Sequence, residues 1–534
     1  PTGLLAVTEP ALPQPTPRPP AGLPPRTAAA ATAARRLPFT ITPLGGAEEV
    51  GGSALLVETP HGTVLLDAGQ RVKGEYGDPD AGGQFHFLIA GVDRLDGILV
   101  SHAHVDHVGS LPVLVQEHAR AQGEPPGIWM SEPTAELAAI MLHDSAKVQS
   151  HRARHERSVV ELAESDLSPS GVTRRAYEHH DVNGVMELVQ HAAPDRAFQI
   201  PGTEIVAKLQ PVSHVLGSCA IHLKHLPSGA TLLYTGDLGP FSDPQETLHE
   251  RVPGNTLDAA DVVVMESTYG RLEVEGREGR RRGLAGRERV VQRLGDASEK
   301  AFEKGGFVLL PSFSLGRTQE LLRLLGSQEM PSAPIYLGGM GERITTVYSD
   351  WGKRADGVWV PPGRFASGVT SINGWVRDHP GFASAAAEVL GDHEPGYVIC
   401  SPAMLSGGWS RAFLELMIEE ERHAIAFTGY LPSHAGNIRY IDRVRRGQPI
   451  QLAGGARTVR CDWLVLKGLS AHAPAGDLRR FALDAARGHP AAFACVHGEK
   501  AAQEELAGWI SEHVDGASAY SMQRGLPWNP RAMS

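Results

Sequence analysis

The stretch Ser101-His102-Ala103-His104-Val105-Asp106-His107 constrains this chain more than any other. Three imidazoles and a carboxylate within six positions form a dense ligand set for a borderline transition metal. The apolar run Gly97–Val100 before it reads as a buried strand. In extended chain, residues two apart point the same way, so His102 and His104 can serve one metal. Asp106 and His107 are adjacent and project differently, which suits a second metal beside the first. Gly109 lets the chain turn closely before a helical run from Leu111.

With 534 residues the chain has room for two or more domains and a large core. A net charge of -11 argues against a generic nucleic-acid coat. It does not exclude nucleic acid, because bound metals reverse the local sign and arginines can be confined to one groove. Cys219, Cys400, Cys461 and Cys495 are scattered, with no Cys-x-x-Cys, which favours a reducing compartment. No window approaches an uninterrupted apolar span, and no charged head precedes a signal core, so a cytoplasmic protein with no membrane partner is expected. Residues 1–37 are rich in Pro and Ala and read as a disordered tail; a transit peptide is the alternative that the prolines oppose.

The folded part opens with short strands divided by Gly turns and reaches Asp67-Ala68-Gly69, where Asp67 is either a turn aspartate or a support for a metal ligand. A charged, His-rich region over 150–193 reads as a solvated helical insertion. Further strands then end at His214, at Asp237 and at Glu266. Convergence of strand ends is how an α/β fold builds a site, so His214 and Asp237 are expected to ligate metal. From Gly270 the composition shifts to Arg, Glu and Gly, including Arg280-Arg281-Arg282, as at a domain border; a basic lip and a solvated linker both fit. Alternating strands and helices follow, implying a largely parallel α/β domain. Its loops Ser312-Phe313-Ser314-Leu315-Gly316-Arg317 and Ser401-Pro402-Ala403-Met404 sit where such sheets bind anions, though loop serines and glycines are also ordinary turn chemistry. Two more histidines, His472 and His497, follow strands near the end.

Assembled, these pieces resemble the metallo-β-lactamase superfamily and, within it, the β-CASP nucleases. His-x-His-x-Asp-His alone marks the superfamily; the order Asp67, His102 to His107, His214, Asp237, Glu266, His472, His497 is more specific. The resemblance implies an αββα sandwich interrupted by a Rossmann-like α/β cap. The expected division is 38–269 for the first part of the sandwich, 270–455 for the cap and 456–534 for the return. It implies that His102, His104 and His214 hold one divalent metal, that Asp106, His107 and His497 hold the other, and that Asp237 bridges them. Asp67 resembles the family's supporting aspartate, and Glu266 with His472 the pair that handles protons and the scissile phosphate. A histidine at position 497 is similar to the RNA-directed branch, whereas the DNA crosslink-repair branch usually has valine there. The run from His102 to Pro112 looks most like the pre-mRNA 3′-end endonuclease and its stand-alone bacterial relatives. Ser401-Pro402-Ala403-Met404 departs from the Ser-Gly-Met usual in the cap loop.

The expected activity is a ribonuclease, endo- or exonucleolytic, acting in RNA processing or decay. A hydroxide shared by two metals attacks phosphorus, Asp106 and Asp67 support the centre, and His472, oriented by Glu266, protonates the departing 3′ oxygen. The products carry a 5′-phosphate and a 3′-hydroxyl. Zinc suits the His and carboxylate mixture, with manganese as the other metal to consider. Single-stranded RNA is the expected partner, with Ser312, Phe313, Arg317, Ser401 and Met404 as its cap contacts and Tyr269 as a second stacking platform. A homodimer is left open. The rivals are a DNA nuclease, a small-molecule hydrolase such as a lactamase or thioesterase, and a scaffold subunit with a degenerate site.

Overall fold

The computed structural model describes residues 37–71, 94–162, 177–241, 257–271, 282–354, 359, 365–366, 368–428, 436–452, 454–466, 469–487 and 492–530. Residues 1–36 of the tail expected over 1–37, the middle of the insertion at 163–176, and Arg280 and Arg281 lie outside the described residues.

The first sheet contains β1 (Thr40–Gly45), β2 (Ala54–Thr59), β3 (Gly62–Leu66), β4 (Gly97–Leu99), β5 (Gly127–Met130) and β6 (Val189–His191), in that spatial order. β1 buries every second residue, as a strand with one face on a core must. The chain runs antiparallel from β1 to β3 and parallel from β3 to β6. The expected solvated insertion is therefore only partly that, because it also supplies β6 as an edge strand of this sheet.

A second sheet starts with β7 (Ala197–Gln199), β8 (Ile205–Pro211), β9 (Cys219–His225), β10 (Thr231–Tyr234) and β11 (Val262–Glu266). β11 is buried at every position, which its sequence Val-Val-Val-Met-Glu permits only because both faces are covered. Leu66 and Ile98 of the first sheet share one core with Leu209, Ile221 and Val264 of the second. Each such fully buried aliphatic side chain stabilises by about 1.5–3 kcal/mol.

The chain then leaves for the cap: β12 (Val308–Pro311), β13 (Ile335–Gly338), β14 (Val369–Ser371), β15 (Tyr397–Cys400), β16 (Ala424–Phe427), a hairpin of β17 (Ile450–Leu452) and β18 (Gly455–Arg457), and β19 (Asp462–Val465). The six-stranded cap sheet has the order β14-β13-β15-β12-β16-β19 and is parallel throughout. Helices cover both faces, with Phe413 and Met417 on one and Leu294 and Leu321 on the other. The chain leaves β12 toward β13 and leaves β15 toward β16, on opposite sides. The crevice between their carboxyl ends is thus a topological switch point, bordered by the loops after Pro311 and Cys400. Pairing of β16 with β19 carries the cap sheet to Val465, past the boundary expected at 455.

Only after β19 does the chain return, adding β20 (Ala492–Val496) beside β11 and β21 (Ser518–Ser521) at the edge of the second sheet. The helices Ala475–Ala485 and Lys500–His513 lay Leu478, Phe481, Leu506 and Ile510 on the outer face of this sheet. The result is helix, sheet, sheet, helix, with the cap inserted between β11 and β20. Tyr348 of the cap is fully buried and its hydroxyl accepts the Leu216 N–H at 3.0 Å, two residues beyond His214. Among the described residues, no helix is long and apolar enough to cross a membrane.

Candidate metal centre

Most of the expected site residues follow a strand, whereas Asp106 and His107 lie in the short helix Val105–Val108. Asp67 comes directly after β3, His102 and His104 after β4, His214 after β8, Asp237 after β10 and His497 after β20, while Glu266 is the last residue of β11. The two sheets deliver these ends to one rim. Two of the turns are forced: Asp67 has φ 62° and His497 φ 49°, the left-handed region that side chains other than glycine seldom occupy. Gly69 permits the closest approach, since a Cβ there would run into the Asp106 carbonyl.

The first cluster is built from facing nitrogens. His104 Nδ1 lies 3.0 Å from His102 Nε2 and 3.2 Å from His214 Nε2. Asp237 Oδ2 is 3.6 Å from His102 Nε2 and 3.5 Å from His214 Nε2. Burial pushes His102 and His214 well below the usual histidine range and His104 below it too, so these rings are neutral. Neutral imidazole nitrogens converging in this way can offer lone pairs to a shared cation.

The second cluster faces the other oxygen of the same carboxylate. Asp237 Oδ1 is 3.4 Å from His107 Nε2 and 3.2 Å from His497 Nδ1, and Asp106 Oδ2 lies 3.5 Å from His497 Nε2. Yet Oδ1 is buried with no hydrogen-bond partner among the described residues, an arrangement that fits a bridging metal ligand. Burial alone would raise the Asp237 pKa, but the neighbouring His497 and His107 hold it well below the carboxylate range. Candidate ligand atoms fall within 4.8 Å of one another in each of three groups: His102, His104, His214 and Asp237; Asp106, His107 and His497; and Asp237, His472 and His497. The donor set fits two divalent cations sharing Asp237.

Asp67 is fully buried and holds this centre from behind. Its carboxylate accepts from Ser101 N and Ser101 Oγ, both at 2.7 Å, from Tyr234 Oη at 2.8 Å and from His107 Nδ1 at 2.7 Å. The last bond leaves His107 Nε2 for the metal side. The outer nitrogens of the first cluster are held differently. Ser101 Oγ is 3.0 Å from His102 Nδ1, the Ala471 carbonyl accepts from His214 Nδ1 at 2.9 Å, and the Leu315 carbonyl of the cap stands 3.5 Å from His104 Nε2.

Glu266 and His472 sit beside both clusters. His472 Nδ1 is 3.3 Å from each oxygen of Glu266 and 3.8 Å from Asp237 Oδ2. Burial opposes the charged ring, but the Glu266 and Asp237 carboxylates outweigh it and hold its pKa at about 9. Among the described residues, none bonds Nε2, and the side chain is 17% exposed.

The sequence reading thus brings Asp67, His102, His104, Asp106, His107, His214, Asp237, Glu266, His472 and His497 into one site. The expected cap contacts divide. Ser312 is fully buried with its hydroxyl 2.8 Å from Thr318 Oγ1, whereas Phe313 is exposed and Ser401 and Met404 are half-buried at the crevice. Arg317 is buried at the start of the cap helix Arg317–Leu325. Sequence reasoning did not assign Ser101, Tyr234 or Thr268, whose Oγ1 lies 3.1 Å from His497 Nδ1. The alternation of Tyr234 toward the core and the place of Ser101 directly before His102 were the available signals.

Three family models match along the chain: the metallo-beta-lactamase superfamily over 47–269, the Beta-Casp domain over 318–434 and the Zn-dependent metallo-hydrolase RNA specificity domain over 457–521. Ribonuclease TTHA0252 of Thermus thermophilus is 29% identical, over 86% of this chain and 93% of that protein. The RNase J-like protein of Methanocaldococcus jannaschii is 26% identical, over 72% and 76%. The transcription termination factor FttA of the same organism is 28% identical over 72% of this chain, which spans only 55% of its length. A crystal structure of a protein of unknown function from Enterococcus faecalis shares the fold, with TM-score 0.50 at 14% identity, covering 92% of this chain and 100% of that one.

Proposed function

Because this chain belongs to the metallo-β-lactamase superfamily and carries a Beta-Casp domain, we propose that it is a metal-dependent ribonuclease. It hydrolyses phosphodiesters of single-stranded RNA to 5′-phosphate and 3′-hydroxyl ends, in RNA processing or decay. One observation carries this reading: the Glu266–His472 pair stands against Asp237, the carboxylate that faces both ligand clusters. Hydrolysis of a phosphodiester needs a water made nucleophilic on one side and a proton delivered to the departing oxygen on the other.

His102, His104 and His214 would hold one cation, Asp106, His107 and His497 the other, with Asp237 between. Bound there, two divalent ions supply Lewis acidity and a water that ionises near neutral pH. Zinc is the metal best suited to this donor set, and manganese is the competitor. His472 is the general acid: its Nδ1–H donates to Glu266 and its Nε2–H is free for the leaving 3′ oxygen. Glu266 can keep that ring oriented because its own oxygens are fixed, Oε1 accepting Leu238 N–H at 2.6 Å and Oε2 accepting Thr268 N–H at 3.3 Å.

The strand would enter between the rim and the cap, where the loops after Pro311 and Cys400 open. Phe313, exposed at the first of these loops, is a stacking platform for a base. Ser401 and Met404 border the second. The matched RNA specificity domain and the relatives named as ribonucleases support RNA over DNA.

The test is digestion of end-labelled linear RNA, circular RNA and competing labelled DNA with zinc or manganese supplied. Cleavage of RNA in preference to DNA is expected, and cut circles would establish internal cleavage. Turnover of thioesters with every RNA untouched would overturn the proposal.

A further inference from the structure

Arg317 opens the cap helix Arg317–Leu325, two residues after the carbonyl that faces His104. Its side chain is 6% exposed, yet Nε and Nη1 have no hydrogen-bond partner among the described residues. Glu320, the acid one turn further on, is committed to Arg323 at 2.8 Å. The other acidic group that acts on it is the Tyr269 phenol, whose ring meets His472 edge-on with centroids 6.3 Å apart.

Burying a guanidinium costs free energy that a fold recovers only by pairing it, and here burial already pulls its proton affinity below the ordinary value. The helix start adds its own positive end and reinforces demand for an anion. Phosphate oxygens answer such a group better than any neutral acceptor. No hydrogen bond or ion pair joins Arg317 to His472 or to a candidate ligand among the described residues, so the catalytic rim does not itself satisfy this guanidinium.

We propose that Arg317 anchors a phosphate neighbouring the scissile one along the strand, and so makes the site selective for a polynucleotide over an isolated phosphodiester. The proposal rests on the nuclease reading above. The enzyme then recognises two consecutive backbone charges, one at the metals and one at the cap, and the second is satisfied only when the cap and the catalytic rim grip the same chain.

The experiment compares wild type, Arg317→Gln and Arg317→Lys on a single-stranded RNA hexamer and on bis(p-nitrophenyl) phosphate, which has one phosphodiester and no neighbour. Arg317→Gln should lower kcat/KM for RNA at least about tenfold more than for the small diester, chiefly through KM, with Arg317→Lys recovering part of the loss. The dependence of RNA binding on salt should weaken by about one counterion. Equal losses on both substrates, or no loss on RNA, would overturn the assignment. Wild-type protein that cuts the small diester and no RNA would instead sink the ribonuclease reading. Metal content and melting temperature accompany each variant, and Arg317→Lys carries the test should the glutamine variant fail to fold.

Discussion

His472 holds Nδ1 at 3.3 Å from both carboxylate oxygens of Glu266, although 206 residues separate the two in sequence. Each oxygen of Glu266 also accepts a backbone N–H, so the acid cannot turn away and the ring cannot follow it. On the proposed function, this fixed pair handles the proton of the reaction.

His472→Ala should lower cleavage by at least about two orders of magnitude while both metals stay bound. The pH response has a definite sign. The ring's pKa is raised, to about 9, so the proton it donates is present below that value and lost above it. Bound cations pull the limit downward, so wild-type kcat should fall on the alkaline side at or below pH 9, and a Glu266→Gln variant should fall at lower pH still. Near-normal cleavage by His472→Ala with full metal content would remove this residue from the mechanism.

Asp106→Ala should lose metal rather than chemistry alone. Its carboxylate is the acidic donor of the second cluster beside His107 and His497, which hold its pKa down against burial. Elemental analysis after gel filtration should find the metal-to-protein ratio reduced, and added zinc or manganese should restore part of the activity. A full complement of metal in the variant would exclude Asp106 as a ligand.

Asp67→Asn tests the support behind the ligands. The carboxylate accepts four donors, one at Oδ1 and three at Oδ2 including His107 Nδ1–H, and an amide presents hydrogens at whichever of these positions its nitrogen takes. Loss of such a buried charged acceptor costs about 3–5 kcal/mol. Metal affinity should fall about 10–100-fold as the His107 ring loses its orientation. Urea unfolding and a chelator competition measure the two effects, and an unchanged affinity would count against the supporting role.

His423 gives the cap its own acid sensitivity. Burial and the adjacent Arg422 push this ring down to about 4, and Phe307 N–H donates to its Nδ1 at 2.9 Å, which an imidazolium could not accept. The stability it contributes is complete above the unfolded value near 6.5 and is lost as pH falls toward 4, on the order of 3 kcal/mol in full. His423→Gln, which keeps an acceptor for Phe307, should show a flatter loss between pH 6.5 and 4.5 in urea titrations. Identical slopes would refute this.

What the sequence revealed follows from chemistry that admits few substitutes. A metal centre needs imidazole and carboxylate, and strand ends supply them at readable places, so His102 through His107, His214, Asp237 and His497 were legible together. Asp67 could be read as a turn residue until the four donors around it were visible. Ser101, Tyr234 and Thr268 carry hydroxyls that any surface might have, and the carbonyls of Leu315 and Ala471 have no sequence signature at all. Which sheet the strand after the expected boundary joins was illegible for a related reason: β19 has the same apolar pattern in either sheet, and only its pairing with β16 assigns it.

The insertion of the cap between β11 and β20 orders events in time as well as space. A ribosome that has released the chain through β19 has delivered His102, His104, Asp106, His107, His214, Asp237 and Glu266, but neither His472 nor His497. A nascent chain at that stage therefore lacks both the proposed proton donor and one proposed ligand of the second cluster. On the proposed reading, a chain made only through β19 carries ligands for metal without the residue that would protonate the leaving oxygen, so the cap is in place before the site can act.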